Sequence, residues 1–196
     1  RKKAEELLRL RQEMLSRTEQ IAHIGSWEWD IEKDQVIWSD EIFRIFQIDP
    51  ARGALPFSEH HTLFTADDMM RLRQAVEEAG RTGTPYELQL TVIRSDGSQR
   101  NCLAYGSALR NKAGTIHRLY GFLEDITDKL LAEEKIRDSE ETYRNLFQNA
   151  PVGLFRTRIS DGKILEANNQ IAHMFGYANR EEFIAEYITS WKDRKR

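Results

Sequence analysis

The sequence predicts an α+β fold, with a five-stranded antiparallel sheet that carries helices on one face and is flanked by a helix at each end. The first observation is a three-stranded region from Tyr86 to Thr127, where apolar and polar residues alternate with the period of two that marks a half-buried strand. Two turn sequences, Ser95–Ser98 and Asn111–Gly114, separate these strands. The second observation is a pair of shorter strands earlier in the chain. The third is a set of amphipathic, capped segments between the two groups of strands.

The last two strands of the three-stranded region are apolar on both faces. One face carries small residues and leucines, namely Cys102, Ala104, Gly106, Ala108, Leu119, Gly121 and Leu123. The other face carries larger side chains, namely Leu103, Tyr105, Leu109, Ile116, Tyr120 and Phe122. Small residues let another element or a ligand approach the backbone, whereas a large apolar face needs cover. We therefore expect a curved sheet with a cleft on one side and a docking surface on the other.

The composition limits the possible classes of protein. The chain has 196 residues, of which 40% are hydrophobic, so it is long enough for one domain with extensions and a core of its own. The formal net charge of −3 argues against a dedicated nucleic-acid binder. The single cysteine excludes an internal disulfide and suits a reducing cytosol, so we expect a cytoplasmic location.

No targeting segment is recognisable in the sequence. No apolar run approaches the ~20 residues that span a membrane, and there is no signal peptide. The chain opens at Arg1 without a methionine, and we interpret it as part of a longer protein.

Residues 1–20 are charged and rich in helix-forming types. Their apolar residues recur at steps of three and four, which is the spacing of one helix face. The stripe consists of Leu7, Leu10, Met14 and Ile21. This pattern predicts an amphipathic helix that either forms a short coiled coil or covers the outer face of the sheet.

Two short strands and a helix follow. Gly25–Ile31 alternates as a strand, and a turn at Lys33-Asp34 leads into a second strand, Gln35–Trp38. Ser39 is a favourable helix N-cap with acidic residues in the turn behind it. The buried face of this helix is predicted to be Ile42, Phe43, Ile45 and Phe46. Asp49-Pro50 is expected to end it.

A longer helix is predicted to begin after the short helical segment Ser58–Phe64. Thr65-Ala66-Asp67-Asp68 has the form of a capping box with Asp in place of the usual Glu. The buried face of the helix is predicted to be Met69, Leu72, Val76 and Ala79. Gly80 and Gly83 are expected to stop it.

The sequence repeats itself near its end, after a predicted charged helix that starts at Asp128. The correspondence pairs Ala22–Gly25 with Ala150–Gly153. With one inserted residue, it also pairs Ser39, Ile42, Ile45 and Phe46 with Asn168, Ile171, Met174 and Phe175. Residues 149–196 thus begin a second copy of strand, turn, strand and capped helix. Because the three-stranded half is missing, we do not expect this segment to be an independent domain.

Several short motifs occur in a fixed order along the chain. They are Trp38-Ser39, Arg94-Ser95-Asp96-Gly97-Ser98, the glycines Gly106, Gly114 and Gly121, and Asp125-Ile126-Thr127. With the order of the strands and helices, they resemble the PAS family, most closely the variant found in tandem in bacterial and archaeal sensor kinases. The resemblance implies an N-terminal helix at 1–20, a PAS domain at 21–127, a linker helix at 128–148 and an incomplete second PAS domain at 149–196.

The chain departs from the common family pattern at two places. Where His-Pro-Asp-Asp is common before the long helix, this chain has Thr65-Ala66-Asp67-Asp68. Where a Tyr-Arg pair is common in the first long strand, it has Leu90-Thr91. The resemblance therefore implies the fold but assigns no ligand.

The resemblance implies a sensory or relay module of a multidomain signalling protein, without catalysis in this segment. The parent protein is expected to be a two-component sensor histidine kinase, and the alternative is a diguanylate cyclase. In one hypothesis the cleft binds a small molecule, and in the other the core is dry and the module only relays and dimerises. The candidate cleft residues are Phe46, Phe64, Met69, Leu72, Leu88, Leu90, Ala104, Leu119 and Leu123.

Two further sites are predicted. Asp125, Ile126 and Thr127 form a junction with Thr127 placed as the helix N-cap. In one interpretation the sheet passes a signal through it to the following helix, and in the other it is only a well-capped connection between strand and helix. A homodimer is expected through the N-terminal helix and the outer sheet face, whose candidate residues are Leu103, Tyr105, Leu109, Tyr120 and Phe122. The neighbouring PAS and output domains of the same chain are the other expected partners, and no contact with nucleic acid or membrane is expected.

Cofactors are not expected from the sequence. Asn101-Cys102 resembles the Asn-Cys of flavin-binding photosensors, but it lies on a strand and lacks the residues that follow there. His60 and His61 lie near where some PAS domains present a haem ligand, but a surface or capping role is the favoured explanation for them. No metal-ligand spacing occurs among the remaining histidines.

Overall fold

The computed structural model describes residues 2–193, so the first residue of the predicted N-terminal helix and the last three of the predicted second repeat lie outside it. The chain divides after Leu130 into two compact units. The first unit contains an antiparallel sheet with the strand order β2-β1-β5-β4-β3. Its strands are β1 Ile24–Asp30, β2 Gln35–Trp38, β3 Tyr86–Ile93, β4 Gln99–Arg110 and β5 Ile116–Asp125. The predicted α+β class and five-stranded sheet are therefore confirmed.

Helices α2 and α3 pack on one face of this sheet and form a core with it. The helical segments of the unit are α1 Lys2–Ala22, α2 Asp40–Phe46, the 3-10 helices Pro50–Arg52 and Phe57–Thr62, and α3 Ala66–Thr82; helix α4 Thr127–Asn149 leaves the sheet. The predicted buried faces of α2 and α3 are confirmed, because all eight residues lie in the core. They pack against Leu90, Val92, Cys102, Ala104, Leu119 and Leu123 of the sheet.

The pairing of β4 with β5 shifts near the turn that joins them. Leu109 pairs with Arg118, and Arg110 then pairs with Ile116, so His117 is an extra residue in β5. Simple alternation placed Ile116 on the outer face, and this prediction is wrong. Because the bulge reverses the alternation, Ile116 packs against the core.

The boundaries of α2 differ from the predicted ones. Ser39 is the N-cap residue, but its Oγ accepts a hydrogen bond from the Ser26 N–H (3.0 Å) and makes none to the helix. The helix ends at Gln47, whose φ of 58° is left-handed, and so Asp49-Pro50 does not end it. Asp49 instead caps the following 3-10 helix by accepting a hydrogen bond from the Ala51 N–H (3.0 Å).

Helix α3 starts at the predicted N-cap residue, but the hydrogen bonds of its first turn differ from the predicted ones. The Thr65 hydroxyl accepts from the Asp68 N–H (3.3 Å), which confirms the cap. The Asp68 carboxylate does not complete a capping box; it accepts from the Thr91 N–H (2.8 Å) and ties α3 to β3. Gly83, with a φ of 84°, ends the helix, whereas Gly80 lies inside it.

The second unit repeats the start of the first. Its elements are the antiparallel strands β6 Phe155–Thr157 and β7 Ile164–Ala167, followed by α5 Asn169–Met174 and α6 Arg180–Asp193. The predicted cap at Asn168 is confirmed, since its side chain accepts from the Ile171 N–H (3.0 Å). Among its apolar residues, Val152 and Phe155 are exposed, whereas Phe183 is buried within the unit.

Matching glycines mark the same position in both units. A methyl group on Gly25 would lie 2.6 Å from the Ile42 side chain, and one on Gly153 would lie 2.7 Å from that of Ile171. The backbone therefore lies directly against the helix that follows the second strand, within the first strand at Gly25 and just before it at Gly153. Only glycine permits this approach.

Among residues 2–193, no helix is both long enough and apolar enough to span a bilayer.

Candidate functional site

The core of the first unit encloses a small apolar cavity. Its volume is about 60 Å³. It is lined by Trp27, Trp29, Val36, Trp38, Ile42, Phe46, Phe57, His60, Phe64, Leu72, Val76, Tyr86, Ala104, Leu119 and Leu123. A cavity of this size holds a few waters or a very small molecule, whereas pockets for drug-sized ligands measure about 300–1,000 Å³.

The predicted cleft residues divide into two groups. Those that line the cavity are Phe46, Phe64, Leu72, Ala104, Leu119 and Leu123. Met69 and Leu90 are buried in the core and Leu88 is half-buried against it, but none of the three lines the cavity. The cavity lies toward the Tyr86 end of β3, and Met69 and Leu90 pack beyond it.

Aromatic residues form much of the cavity wall, and the sequence reading missed most of them. Trp27, Trp29 and Trp38 come from the first two strands, and Tyr86 opens β3. The available signal was the presence of three tryptophans within twelve residues (27 to 38), a density that strand alternation alone does not require.

A pair of glycines allows two of these rings to approach the backbone of the sheet closely. Gly106 and Gly121 are directly paired between β4 and β5. A methyl group on Gly106 would overlap the Tyr86 ring, and one on Gly121 would lie 2.8 Å from Trp27. The predicted close approach to the small-residue face is thus made by aromatic rings of the same sheet.

His60 is the buried polar side chain in the cavity wall. Its Nε2 lies 3.1 Å from the Leu55 carbonyl oxygen, so this nitrogen carries the proton and donates it. Its ring packs 5.7 Å from Trp38 and 5.3 Å from Phe57, measured between ring centroids. Burial lowers its pKa to about 4, so the imidazole is neutral at neutral pH.

The junction between β5 and α4 is held by three backbone contacts. The Asp125 carboxylate accepts from the Thr127 N–H (3.0 Å). The Ile126 N–H donates to the Asn101 carbonyl oxygen (2.9 Å), and the Thr127 hydroxyl accepts from the Asn101 N–H (2.9 Å). Asp125 therefore caps the helix, and the predicted capping role of Thr127 is wrong because its hydroxyl is bonded to β4 instead.

Two arginines connect Asp125 to the rest of the first unit. Arg94 lies 3.6 Å and Arg100 lies 3.9 Å from the same carboxylate oxygen. The Nε of Arg94 also donates to the Ile45 carbonyl oxygen at 2.8 Å. Arg94 thus links helix α2, which lines the cavity, to Asp125, the last residue of β5 before α4.

A polar hollow of about 220 Å³ lies beside this link. It is lined by Gln20, His23, Glu41, Arg44, Ile45, Arg94 and Asp125. The buried Glu41 carboxylate is paired with Arg44 at 2.8 Å and lies 3.5 Å from the His23 Nδ1. The end of α1, the start of α2 and the exit of β5 therefore meet through charged side chains.

Comparison with known families decides the identity. A family model described as "PAS fold" matches residues 35–123, and one described as "PAS domain" matches residues 141–196. The chain belongs to the PAS family. The two matches together extend over both structural units.

Solved structures of signalling proteins are similar to this chain in fold. A sensory box histidine kinase/response regulator from Burkholderia thailandensis is similar, with a TM-score of 0.52 and 24% identity over 67% of this chain and 98% of that chain. The N-terminal domain of a diguanylate cyclase with PAS/PAC sensor from Marinobacter aquaeolei has a TM-score of 0.50 and 15% identity, covering 54% of this chain and 97% of that one.

The curated relatives are much longer proteins. The probable diguanylate cyclase DgcE of Escherichia coli is 22% identical over 74% of this chain, and the match spans 13% of its length. The uncharacterized protein y4lL of Sinorhizobium fredii is 26% identical over 46% of this chain and 11% of its own length. This PAS chain therefore corresponds to a small fraction of either relative.

The residues of this PAS chain do not fit the haem considered for it. Of the two histidines, only His60 lines the cavity, and its ring packs against Trp38 and Phe57. His61 is exposed and does not line the cavity. The cavity volume is also far below that of a pocket for a large planar group.

Cys102 does not fit a flavin photosensor either. Its thiol is fully buried on the core side of β4 and does not line the cavity. Burial raises its pKa to about 12, so it is a protonated, unreactive thiol. Among residues 2–193, no group of three His, Cys, Asp or Glu side chains is arranged to hold a metal ion.

The outer face of the sheet is partly open to solvent. Tyr105 and Phe122 stack at 5.2 Å, Leu103 is half-buried, and Leu109 and Tyr120 are exposed. Helix α1 buries none of its described residues, and its apolar stripe is exposed, so it does not cover this face within one chain. The intramolecular version of the predicted cover is therefore wrong.

Proposed function

We propose that this PAS chain is a sensory and relay module of a multidomain signal-transduction protein. In this proposal, a change in the cavity alters helix α2, and α2 acts through Arg94 and Asp125 on the start of α4. The segment itself is non-catalytic. The observation that carries the proposal is that Arg94 contacts both the Ile45 carbonyl and the Asp125 carboxylate.

The path from the cavity to α4 is short. Ile42 and Phe46 line the cavity and lie on either side of Ile45 in α2. A shift of α2 would move the carbonyl that Arg94 holds, and it would disturb the charge around Asp125. Since Asp125 caps α4, its displacement changes the direction or the fraying of the first helical turn.

The parent protein is proposed to be a two-component sensor histidine kinase. The similarity to a sensory box histidine kinase/response regulator supports this choice, and the similarities to diguanylate cyclases make a cyclase the alternative. A cytoplasmic location is proposed because the single, buried, unpaired thiol of Cys102 suits a reducing compartment.

A structural dimerisation module is the second candidate function. It is favoured by the exposed apolar stripe of α1 and by the half-exposed outer face that includes Leu109 and Tyr120. A second copy of the chain would cover both surfaces. Deleting residues 1–20 should then weaken association in analytical ultracentrifugation, and an unchanged association state would remove this candidate.

Substitutions at the junction test the relay in the full-length parent protein. We expect Asp125→Ala and Arg94→Ala to change regulated kinase or cyclase output by severalfold per folded molecule, because each breaks the link between α2 and α4. Asp67→Ala is a matched control, since this exposed carboxylate lies in the first turn of α3 and not in the link between α2 and α4. Normal regulated output in both junction variants would contradict the relay.

A further inference from the structure

A surface groove lies next to the buried cavity and shares part of its wall. The groove has a volume of about 630 Å³ and runs between α3, the β1–β2 turn and the 3-10 helix Phe57–Thr62. Trp29, Phe57 and Val76 line both the groove and the cavity. These three side chains are therefore the partition between an enclosed space and an open one.

The aromatic part of this partition consists of two rings from different elements. The ring centroids of Trp29, from β1, and Phe57, from the 3-10 helix, are 4.8 Å apart and their planes are inclined by 39°. Separating these two rings would join the cavity to the groove. The combined space would then reach the size of ordinary ligand pockets.

One carboxylate holds both halves of the partition. Asp34 accepts a hydrogen bond from the Trp29 indole N–H at 2.9 Å and one from the Phe57 backbone N–H at 3.1 Å. The Ser58 hydroxyl donates a third at 2.8 Å. Burial alone would raise the pKa of Asp34, but these hydrogen bonds hold it below its usual value. The carboxylate stays charged and keeps all three donors in place.

The groove is open because α3 carries a glycine where it faces the groove. Gly80 lies within α3, where glycine costs about 1 kcal/mol relative to alanine. A methyl group at this position would meet only the Ile31 side chain, at 3.9 Å, so packing does not demand the glycine. Its effect is to leave space beside the partition. Arg73 and Glu77, one helical turn apart, are exposed at the edge of this space.

The lining restricts the chemistry of a molecule that could use both spaces. The cavity wall contains no charged side chain, and its imidazole, His60, donates its proton to a backbone carbonyl. Most of the wall consists of aromatic faces and edges, which favour stacked or edge-on rings. The groove, in contrast, offers a cation at Arg73 and an anion at Glu77.

We propose that the cavity and the groove are two halves of one binding site, with the Trp29–Phe57 pair as its gate and Asp34 as the latch of that gate. The ligand is a neutral, flat aromatic molecule of one or two rings, whose ring occupies the joined space that the open gate creates between cavity and groove, while any polar substituent stays at the groove. This inference rests on the proposed sensory function of the cavity and gives it a ligand class and an access route.

The test uses fluoroindole as the probe and the whole chain as the protein. Fluorine NMR exchange measures the association rate, the dissociation rate and Kd, and nuclear Overhauser contacts to the Leu119 and Leu123 methyl groups locate the bound ring. Asp34→Ala should accelerate association and dissociation by about tenfold or more with a small change in Kd, because three hydrogen bonds to one carboxylate are lost. The rates for Asp34→Asn, which keeps an acceptor oxygen, should lie between those of the wild type and those of Asp34→Ala.

Two further variants complete the test: one is a control, and the other should change the association rate in the opposite direction to Asp34→Ala. Asp49→Ala removes a carboxylate that caps the other 3-10 helix of this region, away from the partition, and should leave both rates unchanged. Gly80→Leu fills the groove without touching the latch and should slow association by about tenfold or abolish binding. Thermal melts of each variant establish that it is folded before its rates are compared.

The possible results separate the inference from the proposed function. Binding to Asp34→Ala but not to the wild type supports a tightly latched gate. Equal rates in the wild type and Asp34→Ala, or contacts away from the Leu119 and Leu123 methyl groups, overturn the gate and leave the relay standing. A failure of every variant to bind overturns the aromatic ligand class. The relay fails separately, through unchanged regulated output in the junction variants.

Discussion

Phe46 and Phe175 occupy corresponding positions in the two units, yet Phe46 is 3% exposed and Phe175 is 64% exposed. The residues before them differ in the same way, with Ile45 at 2% and Met174 at 66%. The local structures match, since each pair lies at the end of a short helix that follows two antiparallel strands. Local sequence therefore determines the strands and the helix, but it does not determine whether the apolar side chains at the end of the helix are buried.

The difference arises from elements distant in sequence. Phe46 packs against Trp38 at 5.1 Å and against Phe64 at 5.8 Å, between centroids, and it joins the core that β3, β4 and β5 complete. The described residues of the second unit contain no counterpart of those three strands. Phe175 contacts Phe183 of α6 at 5.6 Å and is otherwise open to solvent.

Truncating the two corresponding phenylalanines gives the largest expected contrast. Phe46→Ala should lower the free energy of unfolding of the first unit by about 3–5 kcal/mol, because it opens a cavity in a packed core. Phe175→Ala should change stability by no more than about 0.5 kcal/mol, as for a surface substitution. Urea unfolding in a Trp191→Phe background measures the first unit through Trp27, Trp29 and Trp38, and hydrogen exchange measures the second.

Equal losses from the two substitutions would contradict this comparison. They would mean that Phe175 is covered in solution, by another copy or by a partner. If Phe46→Ala unfolds completely, the comparison can be made with leucine variants. Phe46→Leu should lower the free energy of unfolding by less than Phe46→Ala, and Phe175→Leu should not change it measurably.

The two units also differ in the environment of a histidine. His60 is buried and its pKa is lowered to about 4, mainly by burial, whereas His173 in the second unit is exposed. In the unfolded chain His60 titrates near 6.5, so between pH 6.5 and 4 the unfolded state binds the extra proton. The stability of the first unit should therefore fall by roughly 3 kcal/mol as the pH falls through this range.

Denaturation as a function of pH measures this effect. His60→Gln should flatten the pH dependence of the first unit between 6.5 and 4, while His173→Gln should leave it unchanged. Carboxylates titrate at the lower end of this range in every variant, so the difference between the wild type and His60→Gln isolates the imidazole. An identical slope in both would sink the assignment of a buried, neutral His60.

The sequence reading succeeded where periodicity is long and regular. The helix face of Met69, Leu72 and Val76 and the alternation of β3 both follow from spacing alone. It failed where one extra residue shifts the pairing of two strands, as at the bulge in β5 that turns Ile116 inward. It also failed where a side chain forms a hydrogen bond with a residue distant in sequence. The Asp68 carboxylate accepts a hydrogen bond from the Thr91 N–H in β3, and no local pattern shows this bond.

The candidate site was foreseen in outline only. Phe46, Leu119 and Leu123 could be placed in a cleft because strand alternation and helix period both pointed them inward. The partition between Trp29 and Phe57 could not, since it depends on how the β1–β2 turn meets a 3-10 helix more than twenty residues later. Hydrogen bonds between such segments are set by the fold and leave no periodic trace.

The smallest expected contrast concerns the capping residues that begin the repeated helices. Asn168 is fully buried; its amide donates to the Phe147 and Val152 carbonyl oxygens (3.0 and 2.9 Å), and its oxygen accepts from the backbone N–H groups of Leu154 and Ile171. The corresponding Ser39 accepts one bond, from Ser26, and none from its helix.

Asn168→Ala should therefore destabilise the second unit by about 2 kcal/mol, because several buried backbone groups lose their partner, while Ser39→Ala should cost the first unit about 1 kcal/mol or less. Hydrogen exchange at Leu154 and Ile171 measures the first effect, and urea unfolding in the Trp191→Phe background measures the second. Because Asn168 also holds the last turn of α4 at Phe147, exchange of the amides in that turn should rise with it. If exchange rises at Leu154 but not near the end of α4, Asn168 supports its own unit without anchoring the helix that leaves the first one.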